Sequence, residues 1–191
     1  MSATTVSGAM QAAAAVLPAE YLEARWYAVQ TCANHEKRVL QQLGHRSVEA
    51  YLPFFVSVRR WKDRRICLEL PLFPGYVFVR LALSDRMRVL QTPSVVRLVS
   101  FGGHPAALPE KEIETLRQGL TRELRAEPHA YLKAGRRVRV RSGPLRGLEG
   151  LLVRKKNGRR FVISFEPIMS SMAVEIDMAE LEPVRQQGVR N

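Results

Sequence analysis

Hydrophobic and polar positions along the first 120 residues change period several times, which predicts a mixture of strands and helices. Trp26 to Gln30 reads as a strand. Asn34 then stands as the N-cap of a helix whose Val39, Leu40 and Leu43 share one face and whose end is marked by Gly44. Tyr51 to Arg60 and Arg65 to Leu70 read as two strands around the polar turn Lys62-Asp63-Arg64, the second alternating Ile66, Leu68 and Leu70 with Cys67 and Glu69. Gly75 to Leu81 is a further strand. Ser84 caps a short helix that must stop near Thr92, because Pro93 has no amide proton to carry it on. Val95 to Val99 returns as a strand, Gly102-Gly103 turns, and Pro109 opens a helix with Ile113, Leu116 and Leu120 on one side.

Beyond Leu120 the pattern breaks. Thr121 to Ala130 carries both charge signs, Pro128 and almost no large apolar residues, so it reads as a linker. From Leu132 onward, Arg137 to Val140, Leu151 to Arg154, Phe161 to Phe165 and Val174 to Ile176 supply short strands punctuated by Gly and Pro, the pattern of a small closed barrel. The expected organisation is a flexible leader at 1–24, a mixed domain at 25–120, a linker at 121–131, a barrel at 132–185 and a tail at 186–191. The fold class is α+β, an antiparallel sheet packed with helices followed by a small five-stranded β-barrel.

Charge narrows the partners. Thirty Lys and Arg against eighteen Asp and Glu give +12 over 191 residues, which points to an anionic partner, with nucleic acid first. No apolar run approaches the roughly 20 residues of a membrane span. No Lys or Arg precedes the apolar patch Ala12 to Leu17, as a secretory start would require. Cys32 and Cys67 have no metal-ligand spacing and suit a reducing cytoplasm. A Walker-type loop, a His-Glu-x-x-His helix and a nucleophile elbow are all missing, and His35, His45, His104 and His129 are scattered. The expectation is a cytoplasmic, monomeric protein that is not an enzyme and needs no cofactor or metal.

Two features can bind macromolecules. In the strand after Gly75, Tyr76 and Phe78 point one way and Val77 and Val79 the other, and Phe73 can join the aromatic side. A second apolar face is either covered by other elements or open to a partner. Around Trp61, the hairpin offers Arg59, Arg60, Lys62, Arg64 and Arg65 with only Asp63 opposing, and clustered guanidinium groups bind phosphate.

The run Pro71-Leu72-Phe73-Pro74-Gly75-Tyr76-Val77-Phe78-Val79-Arg80 resembles the signature of the amino-terminal domain of NusG-family transcription elongation factors, and Arg25-Trp26-Tyr27-Ala28-Val29-Gln30 resembles that domain's opening strand. Gly135 to Val140 followed by Gly143-Pro144-Leu145-Arg146-Gly147-Leu148-Glu149-Gly150 looks like a KOW motif, the start of the family's carboxy-terminal barrel. The resemblance implies an RNA polymerase-binding domain tethered to a barrel that recruits a second partner.

It places Phe73, Tyr76 and Phe78, with Tyr51 and Phe54, where the family docks on the clamp helices of the polymerase's largest subunit, and Arg86 and Met87 where it touches the other large subunit. His35, Lys37 and Arg38 fall where specialised relatives contact the displaced strand of the DNA in the elongation complex. In the barrel, the recruiting loop is Glu166 to Met172, with Phe165, Ile168 and Met169 as its apolar contacts for a small ribosomal protein. Housekeeping members commonly carry a Phe-Gly-Arg-like stretch there; Ile168-Met169-Ser170 departs from it, which argues against contact with the termination factor Rho. With the high basic charge, this points to a specialised, RfaH/UpxY-like antiterminator that modulates pausing or termination. The rival reading is a ribosome-associated or RNA-binding KOW protein.

Overall fold

The computed structural model describes residues 19–61, 64–120, 126–131, 135–155 and 158–184. A four-residue helix, α1 (Ala19–Leu22), precedes β1 (Arg25–Thr31), α2 (Glu36–His45), β2 (Glu49–Tyr51), β3 (Phe54–Trp61), β4 (Arg64–Pro71) and β5 (Tyr76–Leu81). A 3-10 turn at Leu83–Asp85 leads into α3 (Arg86–Leu90) and β6 (Val95–Leu98); β7 (Ser100–Phe101), β8 (His104–Pro105), β9 (Ala107–Leu108) and α4 (Glu110–Gly119) follow. The remaining strands are β10 (Ala126–Ala130), β11 (Arg136–Val140), β12 (Glu149–Lys155), β13 (Gly158–Phe165), β14 (Ser170–Val174) and β15 (Leu181–Pro183).

The first sheet runs β2-β5-β1-β6, with β9 also on β1, and its pairings are antiparallel. Its two faces follow from strand alternation. Tyr27, Val29, Val77 and Val79 bury themselves with Val39 and Leu43 of α2 and Val89 of α3. Trp26, Ala28 and Phe78 turn the other way, into a core shared with Ile113 and Leu116 of α4. Two ion pairs tie α4 to the sheet, Arg80 to Glu110 at 2.9 Å and Arg117 to Glu49 at 2.7 Å. The strands β3 and β4 form a two-stranded ribbon of their own.

The carboxy-terminal strands form one antiparallel sheet in the order β10-β14-β13-β12-β11-β15. Five of them come from the segment expected to form the barrel. The sixth, β10, comes from within 121–131, the stretch read as linker. Its backbone pairs with β14 along its length, while only Ala126 is buried, so the polar side chains hide the strand from any periodicity.

Local boundaries also moved. Pro53 separates β2 from β3, where one strand was expected. Asn34 does not cap α2: its φ of 62° takes it out of the capping conformation, and His35 precedes the helix without a side-chain cap bond. Gly44 lies inside that helix, and the left-handed turn residue is Ser47.

Candidate functional site

The aromatic side of the first sheet is the centre of the site. Phe78 stands opposite Ala28 of β1, and the turn before β5 brings Phe73 edge-on to it, with ring centroids 5.6 Å apart at 79°. Tyr51 of β2, opposite Phe78 in register, stacks on it at 6.4 Å and 27°. Burial pushes the Tyr51 hydroxyl well above the usual tyrosine range, so the ring stays neutral at ordinary pH. Tyr76 is half-buried beside them.

The two phenylalanine rings are not open to solvent. Phe165, at the end of β13, lies 5.1 Å from Phe73 at 76° and 6.1 Å from Phe78 at 44°, and Phe73 and Phe78 are both 0% exposed. Ile168 belongs to the same core. Of the two alternatives the sequence left open for this face, cover by other elements or exposure to a partner, the structure shows cover: Phe165 lies over Phe73 and Phe78, and Phe165 and Ile168 are themselves buried. The physical reason is symmetrical. Each unit presents apolar area that its own elements do not hide, and removing a Phe side chain from water is worth about 1.5–3 kcal/mol.

The seam continues along α4. Gly119 packs against the turn after β11 so tightly that an added Cβ would lie 2.6 Å from Leu145 Cδ2 and 2.6 Å from the Pro144 carbonyl oxygen. Lys111 sits against Gly147. A cleft of about 850 Å³ is lined by residues of both units, Glu112 from α4 and Glu149, Phe165 and Glu166 from the carboxy-terminal sheet and its loop. Burial, and after it the Glu149 carboxylate, raises the Glu112 carboxyl above the usual range.

Residues 24–117 match the family model described as NusG, transcription termination factor nusG. The NusG of Lactococcus lactis, named a transcription termination/antitermination protein, is 27% identical over 174 residues, covering 84% of this chain and 93% of that protein. Its namesake in Vibrio cholerae is 28% identical over 173 residues, covering 83% and 94%. Residues 24–117 of this chain form a NusG-family domain. A solved structure described as a domain interaction in Thermotoga maritima NusG shares the fold, with a TM-score of 0.52 at 22% identity, covering 86% of this chain and 99% of that one.

Within this NusG-family domain, Tyr51, Phe73, Tyr76 and Phe78 come together. Phe54 does not join them; it packs with the helix-covered core on the other side, under the ammonium of Lys37 at 5.0 Å. Arg86 is held away from the rings, donating to the Leu83 carbonyl at 3.1 Å and lying 5.8 Å from the Tyr21 ring centroid, so that it anchors α1. Met87 is exposed on α3.

His35, Lys37 and Arg38 are exposed near the start of α2, where the His35 ring nitrogen Nδ1 and the Ser94 hydroxyl are 3.0 Å apart. Arg64 and Arg65 are exposed at the far end of the ribbon; of Arg59 and Arg60 only the strand backbone is described, and Lys62 lies outside the described residues. Met169 is exposed with a φ of 48°.

Glu36 escaped the sequence reading. It is 4% exposed, and its carboxylate accepts the Gly75 backbone N–H at 2.7 Å. The sole clue was an acidic residue in the first turn of a helix, a position the helix dipole favours everywhere. Among the described residues, no group of three or more His, Cys, Asp or Glu is placed to hold a metal, and no helix is long and apolar enough to cross a membrane.

Proposed function

We propose that this chain is a transcription elongation factor that binds RNA polymerase and modulates pausing, termination or antitermination. Its docking surface is the aromatic face of Tyr51, Phe73, Tyr76 and Phe78, received by the clamp helices of the polymerase's largest subunit in a helix-in-groove mode. The observation that carries this reading is the ring of Phe165 over Phe73 and Phe78. At this spot the amino-terminal unit borrows its cover from the barrel, so another apolar surface can take the same place once the barrel leaves. The names of the curated relatives agree with a role in transcription.

The exposed Arg64 and Arg65 are suited to phosphate of the DNA in the elongation complex. Binding across polymerase and DNA would hold the clamp closed and disfavour the paused state, with no covalent step. The barrel, once released, offers Phe165, Ile168 and Met169 to a second partner such as a small ribosomal protein.

A specialised antiterminator fits the loop best. Housekeeping relatives carry a Phe-Gly-Arg-like stretch here; this chain places Met169 in the left-handed conformation that glycine adopts without cost and other residues pay about 1–2 kcal/mol to hold. A cytoplasmic, non-enzymatic monomer is consistent with this role.

The test is a pull-down and affinity measurement with a clamp-helix fragment and with intact elongation complexes. Tyr76→Ala should weaken binding by about thirtyfold, as loss of a desolvated aromatic anchor typically does. Co-sedimentation with ribosomes in the absence of any polymerase binding would replace this reading with that of a ribosome-associated KOW protein.

A further inference from the structure

Two consecutive residues at the start of α2 grip the two ends of one short segment. Glu36 takes the Gly75 N–H at 2.7 Å, and Lys37 donates to the Glu69 carbonyl at 2.9 Å. The segment between those points, Glu69 to Gly75, leaves the basic ribbon at one end and enters β5 at the other, with Phe73 inside it. Gly75 is fixed from both sides, because its carbonyl accepts the Thr31 N–H at 2.8 Å, and its φ of 83° is one that side chains rarely adopt. Lys37 also lies over the ring of Phe54, the first residue of β3, which stands opposite Pro71 across the ribbon. At the ribbon's foot, Leu72 donates to the Pro53 carbonyl at 2.8 Å.

We propose that Glu36 and Lys37 form a clip that sets the angle between the aromatic face and the basic ribbon, so that the two surfaces meet polymerase and DNA simultaneously. Lys37 is then a positioning residue, and its ammonium is engaged at the ribbon's foot instead of on phosphate. The inference rests on the functional reading above.

The geometry explains why such a clip is needed. The ribbon forms a two-stranded sheet separate from the main one, and isolated hairpins have little stability or fixed direction of their own. Two tethered surfaces help each other only when their relative placement is right, since the second contact forms at an effective concentration set by the connection. Loosening the connection lowers that concentration without altering either surface.

The experiment compares wild type, Lys37→Met, Lys37→Arg and Arg65→Gln, all as the full chain, on a short duplex DNA and on a polymerase elongation complex. For Lys37→Met the clip predicts unchanged affinity and salt slope on duplex DNA, but about tenfold weaker binding to the elongation complex. Lys37→Arg, which keeps a donor, should restore most of that loss. A direct phosphate contact would instead lower affinity on duplex DNA and reduce the salt slope by about 0.9, which overturns the clip.

Native thiols supply a structural readout. Cys32 near α2 and Cys67 on β4 are both free and exposed, so a nitroxide on each reports the body-to-ribbon distance. Its distribution should broaden in Lys37→Met and in Glu36→Ala, and stay narrow in Glu36→Gln, whose amide oxygen still accepts the Gly75 N–H. An unchanged distribution in both Lys37→Met and Glu36→Ala overturns the clip, whatever the affinities. Should Arg65→Gln leave binding to both targets untouched, the functional reading fails, and the clip's role fails with it.

Discussion

Replacing Gly119 with alanine should turn the protein into a tighter polymerase binder. The added Cβ would come within 2.6 Å of both Leu145 Cδ2 and the Pro144 carbonyl oxygen, about 1 Å short of ordinary packing distance. Leu145 is 1% exposed and has nowhere to swing, and the proline carbonyl is backbone, so the seam itself must part. Overpacking of this kind costs about 1–3 kcal/mol, which shifts the closed-to-open ratio about 5- to 150-fold. The amino-terminal unit suffers no penalty, because alanine is a better helix former than glycine by up to about 1 kcal/mol. Apparent affinity scales with the fraction of molecules whose docking face is open. Clamp-helix affinity should therefore rise by the same factor until the open form dominates, while the barrel tumbles more freely in NMR relaxation. A variant as closed as wild type, or one that opens without binding more tightly, would refute the reasoning.

Truncating Phe73 should behave differently from truncating Tyr76: full burial predicts that Phe73→Ala costs about 3–5 kcal/mol of stability in a denaturant titration, whereas half-buried Tyr76→Ala should mainly lose affinity. Charge reversal at Arg64 and Arg65 should flatten the salt dependence of duplex binding, with thermal melting unchanged. Closure should also be proton-linked. Glu112 holds its proton more tightly in the closed seam because of burial and, secondarily, Glu149; Arg137 and Glu166 line the same cleft, Lys111 sits against Gly147, and Arg139 pairs with Glu149. A protonated Glu112 costs closure nothing, so closure is strongest in acid and weakens as pH rises from the ordinary value of 4.5 through the raised one. Interdomain distance should lengthen across that window in wild type and not in Glu112→Gln.

Alternation and punctuation made much of the fold legible. The strand periods of 26–30 and 75–81, the apolar stripe of Ile113 and Leu116, and the glycines of 143–150 led directly to β1, β5, α4 and the barrel's first turn. β10 stayed hidden because Glu127, Pro128 and Ala130 are exposed and the strand exists through its backbone bonds to β14. At the site, the shared face of Tyr76 and Phe78 was readable; its cover was not. Phe165 reaches Phe73 across 92 positions of chain, and no local pattern specifies which apolar surface a distant ring will meet. Lys37 and Arg86 were placed at macromolecular contacts by the family resemblance, and their intramolecular partners went unread. Their partners are a carbonyl and an aromatic ring, which carry no charge signal in the sequence.

The central claim is that the aromatic face under Phe165 is the polymerase-docking surface. NMR titration of the isotope-labelled full chain with the clamp-helix fragment tests it most directly. The account predicts that signals of Tyr51, Phe73, Tyr76 and Phe78 shift on binding while those of Phe165 and Ile168 move together to the positions of a released barrel. Saturable binding that leaves Phe165 seated on Phe73, or that shifts signals on another face alone, would contradict it.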